Sequence, residues 1–345
     1  LRLAHALRPD GIQWPEREPG VTSFKLGDLT AANGIPHAGA HDALADVRAT
    51  IDMARLLKQA QPRLFDYALR LRKSDSVRTL LNKGQVLLHV SQRYPAAQGC
   101  IAPVLAVGTH PENPKQRLCF DLRQDPALLL DLSADEIRKR LFTPAAELPE
   151  GVERLAIKGV KINASPMLAP LGTLSDAAAE RWGIDRLRVA THAARVAAAS
   201  EQIAAKLREV YLGQQRPQPT DPDQMLYTGG FFSDADRRRM EQLHALPARE
   251  LAEARPRFDD PRLPTLLFRM RARSWPETLT EAEREDWDAW RFERLTDPDA
   301  GGSLTIDGFE QRLAELRHEH AADSSILNLL DQLEDWAQLV MDAGG

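Results

Sequence analysis

The stretch Ala32-Asn33-Gly34-Ile35, followed shortly by His41-Asp42-Ala43-Leu44-Ala45-Asp46-Val47, decides how this chain is read. Downstream of it, Leu44, Val47, Ile51, Ala54 and Leu57 recur at three- and four-residue spacing. That pattern predicts a helix over 42–60, stopped by Pro62. Asp42 and Asp46 then fall in its first turns, and His41 stands in the loop at its mouth. Acidic groups there also suit the helix dipole, so spacing alone leaves a purely structural role open.

Working outward, Leu64, Tyr67, Ala68 and Leu71 form an apolar stripe within two short basic helices over 63–83. The texture changes at Gly84. Segments 85–91, 99–109, 116–122 and 155–162 read as strands, with His110-Pro111-Glu112-Asn113-Pro114 as a turn-rich loop. Ser133-Ala134-Asp135-Glu136 has capping-box spacing and should open a helix to about residue 142. Short strands with one inserted helix predict a small barrel, continued by helices at 175–183 and 187–212. Residues 213–224 hold three prolines and almost no apolar side chain, the composition of a linker. Beyond it, helices are expected near 233–245, 262–274, 280–294, 306–320 and 324–341, with Trp275, Trp287, Trp290 and Trp336 available for packing.

At 345 residues, 43% hydrophobic and 28% charged, the chain can support two or three cores. No stretch has the length and apolarity of a membrane span. Two cysteines, Cys100 and Cys119, suit a reducing cytoplasm and read as buried thiols. The net charge of −5 conceals an asymmetry. Of 50 acidic and 45 basic residues, 17 and 5 lie within 280–345, so the rest carries 33 acids against 40 bases. A basic body with an acidic tail can still attract phosphate.

A histidine and an aspartate spaced as His41 and Asp46 fit metal-assisted phosphodiester hydrolysis. The imidazole can take a proton from water near neutral pH, and the carboxylate can ligate a hard cation such as Mg²⁺, with Mn²⁺ as the alternative. With Ser23-Phe24-Lys25-Leu26 and Ala49-Thr50 added, the region resembles the last motif of the four-carboxylate, one-histidine exonuclease superfamily. Gln61-Pro62-Arg63-Leu64-Phe65-Asp66-Tyr67, the His110–Asn113 loop and Gly230-Phe231-Phe232-Ser233-Asp234-Ala235-Asp236 narrow the likeness to the bacterial exonuclease I family, over nearly the whole chain.

That resemblance implies an α+β multidomain protein. Residues 1–60 would be the C-terminal remnant of a ribonuclease-H-like α/β exonuclease domain, 61–213 an SH3-like β-barrel domain with flanking helices, and 214–345 an all-α domain, together a C-shaped clamp. It implies a monomeric cytoplasmic enzyme of DNA repair and recombination, degrading single-stranded DNA from the 3′ end to 5′-mononucleotides with two Mg²⁺ ions. His41 matches the catalytic histidine and Asp46 the last metal-binding aspartate. Arg2, Arg8 and Lys25 match basic positions near the DNA strand, Lys25 where Arg is usual. Tyr67 matches an aromatic position that stacks on a base or packs against a peptide. Arg8, Tyr67 and Arg186 match a groove for the acidic C-terminal tail of single-strand-binding protein, with Pro170 and Ser175 as departures.

The family's first metal ligands form an Asp-x-Glu pair, yet no Asp here is followed by Glu two positions later. The chain is therefore expected to be an N-terminally incomplete member, inactive by itself, whose helix at 42–60 exposes an apolar face. The alternative is a non-catalytic module binding single-stranded DNA or single-strand-binding protein. Asp297-Pro-Asp299-Ala-Gly301 resembles a calcium loop, but Gly301 and Gly308 replace two ligands, so a turn is expected.

Overall fold

Residues 1–37, 42–212 and 219–342 are described by a computed structural model, and they fall into two units, Leu1–Gln215 and Arg216–Gly345. The first unit starts with α1 (Arg2–Leu7), a small hairpin of β1 (Glu16–Glu18) and β2 (Val21–Thr22), and α2 (Leu26–Ala32). The helix expected over 42–60 is α3 (Ala43–Ala60), capped by Asp42, whose side chain accepts from Ala45 N at 3.0 Å. Pro62 opens the next helix, α4 (Pro62–Arg70), in its first turn, where a missing N–H costs no intrahelical bond. α5 (Ser74–Asn82) completes the expected pair of short helices.

Five strands form one antiparallel sheet in the order β6-β5-β4-β3-β7: β3 (Leu87–Val90), β4 (Ile101–His110), β5 (Asn113–Asp121), β6 (Ile157–Lys161) and β7 (Met167–Pro170). The helices woven around it are α6 (Ala127–Leu130), α7 (Ala134–Phe142), α8 (Asp176–Arg181), α9 (Arg186–Ala198) and α10 (Ser200–Leu212). Adjacent strand residues enter opposite layers, as a two-residue period requires. Leu88, Ile101, Leu118 and Phe120 join the core made with α1, α7, α9 and α10. Leu87, Ala102, Cys119 and Leu168 join a second layer closed by Leu71, Val77, Leu81 and Tyr94. Both sheet faces are therefore covered, which explains strands that read as continuous apolar runs. Cys100 and Cys119 are buried free thiols.

The expected capping box is present. Glu136 N donates to Ser133 Oγ at 3.3 Å, and Ser133 N donates to Glu136 Oε2 at 2.9 Å. Lys206 of α10 gathers three carbonyls at the end of α6, donating to Leu129, Leu130 and Leu132 O at 3.2, 2.7 and 2.7 Å. A cation there complements the helix's negative end.

Three features differ from the sequence pattern. His110 pairs with Asn113, so β4 and β5 are joined by Pro111-Glu112 alone rather than by a five-residue loop. β7 went unread because it is short and contains Pro170; it is an edge strand, where proline is tolerated. The helix expected over 187–212 is broken at Ala199 (φ −111°, ψ 18°), although its apolar spacing continues, and both halves feed the same core.

The second unit contains α11 (Asp234–His244), α12 (Ala248–Glu253), α13 (Arg262–Ser274), α14 (Glu281–Thr296), α15 (Ile306–Glu319) and α16 (Ser324–Asp342). The Ser233-Asp234-Ala235-Asp236 motif is structural here. Asp236 is fully buried and accepts from Asp259 N at 3.1 Å, Asp260 N at 3.0 Å and Arg239 at 2.9 Å. Burial would raise its pKa, but these donors hold it below the ordinary carboxylate value. Trp287 and Trp290 stack at 5.0 Å, with the Arg269 guanidinium 4.1 Å over Trp290, while Trp336 is exposed. The calcium-like segment is a turn in which Asp299 N donates to the Asp297 carboxylate. Among the described residues no helix is long and apolar enough to cross a membrane.

Candidate functional site

The Asn33-Gly34 step turns the chain back on itself. Asn33 Nδ2 donates to Gln13 O and to Leu29 O, both at 2.8 Å, and Gly34 takes φ +64°. The chain then brings His37 to the mouth of α3. His37 Nε2–H donates to Asp46 Oδ1 at 2.7 Å, and Nδ1 lies 3.2 Å from Thr30 Oγ1 on α2. The His37 side chain is 9% exposed and that of Asp46 45%, so a nearly buried imidazole holds a carboxylate that faces solvent. His41 lies outside the described residues. His37 was not singled out from sequence; its only signal was a second histidine four positions before His41.

At the other end of α2, Lys25 is the residue before the first turn, about 7 Å along the helix from Thr30. It lines a cleft of roughly 260 Å³ with Arg2, Arg17, Phe24 and Ala96. Three of the lining residues are cations and none is an acid. The Arg2 guanidinium sits 4.8 Å over the Phe24 ring, and its Nε is buried without a hydrogen-bond partner. Arg2 and Lys25 therefore share one basic cleft, and Arg17 and Phe24 are additions that sequence reasoning missed. Arg17 had no signal, because its place depends on the β1–β2 hairpin.

Arg8, Tyr67 and Arg186 reach elsewhere, to β7 and the segment that follows it. Tyr67 Oη donates to Leu168 O at 2.8 Å, Arg8 Nη1 to Thr173 O at 3.1 Å, and Arg186 to Leu174 O, with an ion pair to Asp176 at 2.9 Å. Pro170 and Ser175 belong to the same segment. Burial, opposed by the nearby Arg70, raises the Tyr67 pKa, so its hydroxyl remains a proton donor.

Two further histidines are structural. His5 is enclosed by Trp14, Phe24 and Trp182, with Nε2 2.9 Å from Thr22 Oγ1; burial and Arg181 lower its pKa to about 4. His89 is buried against Tyr94 Oη at 3.0 Å, and burial, then Lys158 and Arg93, lower it to about 4 as well.

Known proteins resemble this chain over most of its length. Residues 72–213 match the exonuclease I SH3-like domain and residues 220–340 the exonuclease I C-terminal domain. The exodeoxyribonuclease I of Haemophilus influenzae is 38% identical over 339 residues, covering 97% of this chain and 70% of that protein. The chain belongs to the exonuclease I family. Among solved structures, exonuclease I from Methylocaldum szegediense is 43% identical with a TM-score of 0.82, covering 99% of this chain and 71% of that one. Escherichia coli exonuclease I in complex with a dA16 oligonucleotide is 36% identical with a TM-score of 0.81, covering 98% and 71%. Further structures include a zinc-bound E. coli enzyme with single-stranded DNA and an SSB/exonuclease I structure with an inhibitor.

Exonuclease I enzymes use divalent metal ions. Among the described residues, no group of three or more His, Cys, Asp or Glu side chains is placed to hold one. Asp46, already bonded to His37, offers one motif carboxylate where a metal pair needs several. The described donor set by itself does not fit a two-metal centre.

Proposed function

We propose that this chain works as part of a 3′–5′ exodeoxyribonuclease that shortens single-stranded DNA to 5′-mononucleotides during repair and recombination. The observation that carries this reading is α2: its N-cap Lys25 lines the cationic cleft, and Thr30 near its far end contacts His37 of the His37–Asp46 pair. Arg2 and Lys25 grip phosphates there, and Phe24 lies beside them as an aromatic surface. In this reading His41 is the general base, and Asp46 would supply one of the carboxylates that hold Mg²⁺, with Mn²⁺ as the alternative.

The segment 168–176, with Arg8, Tyr67 and Arg186, is the docking place for the acidic tail of single-strand-binding protein. The convergence of all three side chains on one stretch of backbone supports this assignment. The chain divides as 1–60, 61–213 and 214–345, acts as a monomer and works in the cytoplasm.

Fluorescence anisotropy with a labelled oligothymidylate tests the reading. Binding is expected to be salt-dependent and to weaken on the order of tenfold in Arg2→Ala/Lys25→Ala, from the loss of two phosphate contacts. With Mg²⁺ present, the isolated chain is expected to bind the oligonucleotide without shortening it. A ladder of products that vanishes in His41→Ala would overturn the single-carboxylate reading. A tail-peptide titration insensitive to Arg186→Ala would remove Arg186 from the docking site.

A further inference from the structure

Asp46 projects from the first turn of α3, where nearly half of its side chain faces solvent. A carboxylate in such a place turns about its side-chain bonds, and ordering it costs conformational entropy. Here one of its oxygens, Oδ1, is met at 2.7 Å by His37 Nε2. An ionised carboxylate only accepts, so the ring carries a proton on Nε2 whichever role Nδ1 plays. The donor is itself held in place. The ring is nearly buried, and its Nδ1 lies 3.2 Å from Thr30 Oγ1. Thr30 in turn is buried on α2, with its hydroxyl 2.9 Å from Gly27 O.

Backbone bonds carry that rigidity to the imidazole. Ile35 N donates to Thr30 O at 2.9 Å and Gly34 N to Ala31 O at 3.3 Å, closing the turn that follows α2. Two residues after that turn, His37 touches Thr30 on α2 and Asp46 on α3. The line Thr30–His37–Asp46 thus runs from a buried residue to a carboxylate that faces solvent. A polar pair whose acceptor is so exposed adds little to stability, so its larger effect is on where the carboxylate points.

We propose that His37 is a positioning residue for Asp46: its Nε2–H fixes the direction of the carboxylate that the exonuclease reaction uses. The inference rests on Asp46 being one of that reaction's carboxylates. Thr30 acts one step further back, by orienting the imidazole.

Two variants separate this role from a structural one. The amide nitrogen of Gln takes the place of Nε2 and keeps a donor within reach of Asp46, whereas that of Asn falls at the place of Nδ1 and does not. In the full chain, the three-bond N–Cγ and C′–Cγ couplings of Asp46 report its χ1 rotamer. Wild type and His37→Gln are expected to show a single rotamer, and His37→Asn an average over several. Thr30→Val leaves His37 in place and is also expected to average the couplings, which keeps the test valid if His37→Asn folds poorly. The second readout is digestion of single-stranded DNA by the chain joined to the part of a relative outside the matched region. There His37→Gln should largely keep its kcat, and His37→Asn should lose on the order of tenfold to a hundredfold with KM unchanged. A single Asp46 rotamer in every variant refutes the positioning role, as does equal kcat in the two joined His37 variants at equal melting temperature. If the joined Asp46→Ala form digests DNA as well as wild type, the reading of Asp46 has failed first, and the couplings alone decide whether His37 fixes its direction.

Discussion

Single residues show where local sequence suffices and where it does not. The place of Asp46 in the first turn of α3 was legible because the apolar period of that helix is written in consecutive residues. His37 and Arg17 were not, because their places depend on the reversal at Gly34 and on a hairpin whose strands are three and two residues long. Gly99 is similar: a Cβ there would stand 2.5 Å from a carbon of the Trp182 ring, which is anchored by its Nε1–H donating to Ala6 O at 3.0 Å. Gly99→Ala is expected to lose about 3 kcal/mol, combining left-handed strain with overpacking, as urea denaturation would report. A loss under about 1 kcal/mol would mean the ring moves aside. His89 makes a pH prediction. Its folded pKa of about 4 lies below the unfolded value near 6.5, so the unfolded chain binds the extra proton between them. The stability it confers is complete above pH 6.5 and drains as pH falls toward 4, about 3 kcal/mol in all. The slope of stability against pH across that window should flatten in His89→Leu, whatever that variant's stability at neutral pH.

At the scale of elements, helices with a clear apolar period and a cap were readable, and α3, α7, α14 and α15 appear close to where the pattern put them. What escaped was short or locally ambiguous. β7 has four residues and a proline, α1 and α2 have six and seven, and the break at Ala199 leaves the apolar period intact. The exposed face expected on α3 is present: Leu44, Val47 and Ile51 are 55, 54 and 46% exposed, while Ala49 and Met53 are buried. Ser133 gives an element-scale test. Its side chain and that of Glu136 satisfy backbone donors at the start of α7, so Ser133→Ala should cost about 1 kcal/mol in thermal or urea unfolding. An unchanged midpoint would show that α7 is held by Ile137 and Leu141 in the core alone.

For the whole molecule, net charge misleads and its distribution does not. The acids gather in the C-terminal helices, while Arg2, Arg17 and Lys25 line one cleft of the first unit. Family membership follows from matches spanning 72–213 and 220–340, and the relatives extend beyond the region this chain covers. The account's central claim is that Asp46 belongs to the carboxylate set of a DNA exonuclease. It is tested most directly by joining this chain to the part of the H. influenzae enzyme outside the matched region and following digestion of single-stranded DNA with Mg²⁺. The joined protein is predicted to release 5′-mononucleotides from 3′ ends, and its Asp46→Ala form, folded to the same melting temperature, to lose that activity. Equal digestion by both forms would contradict the claim.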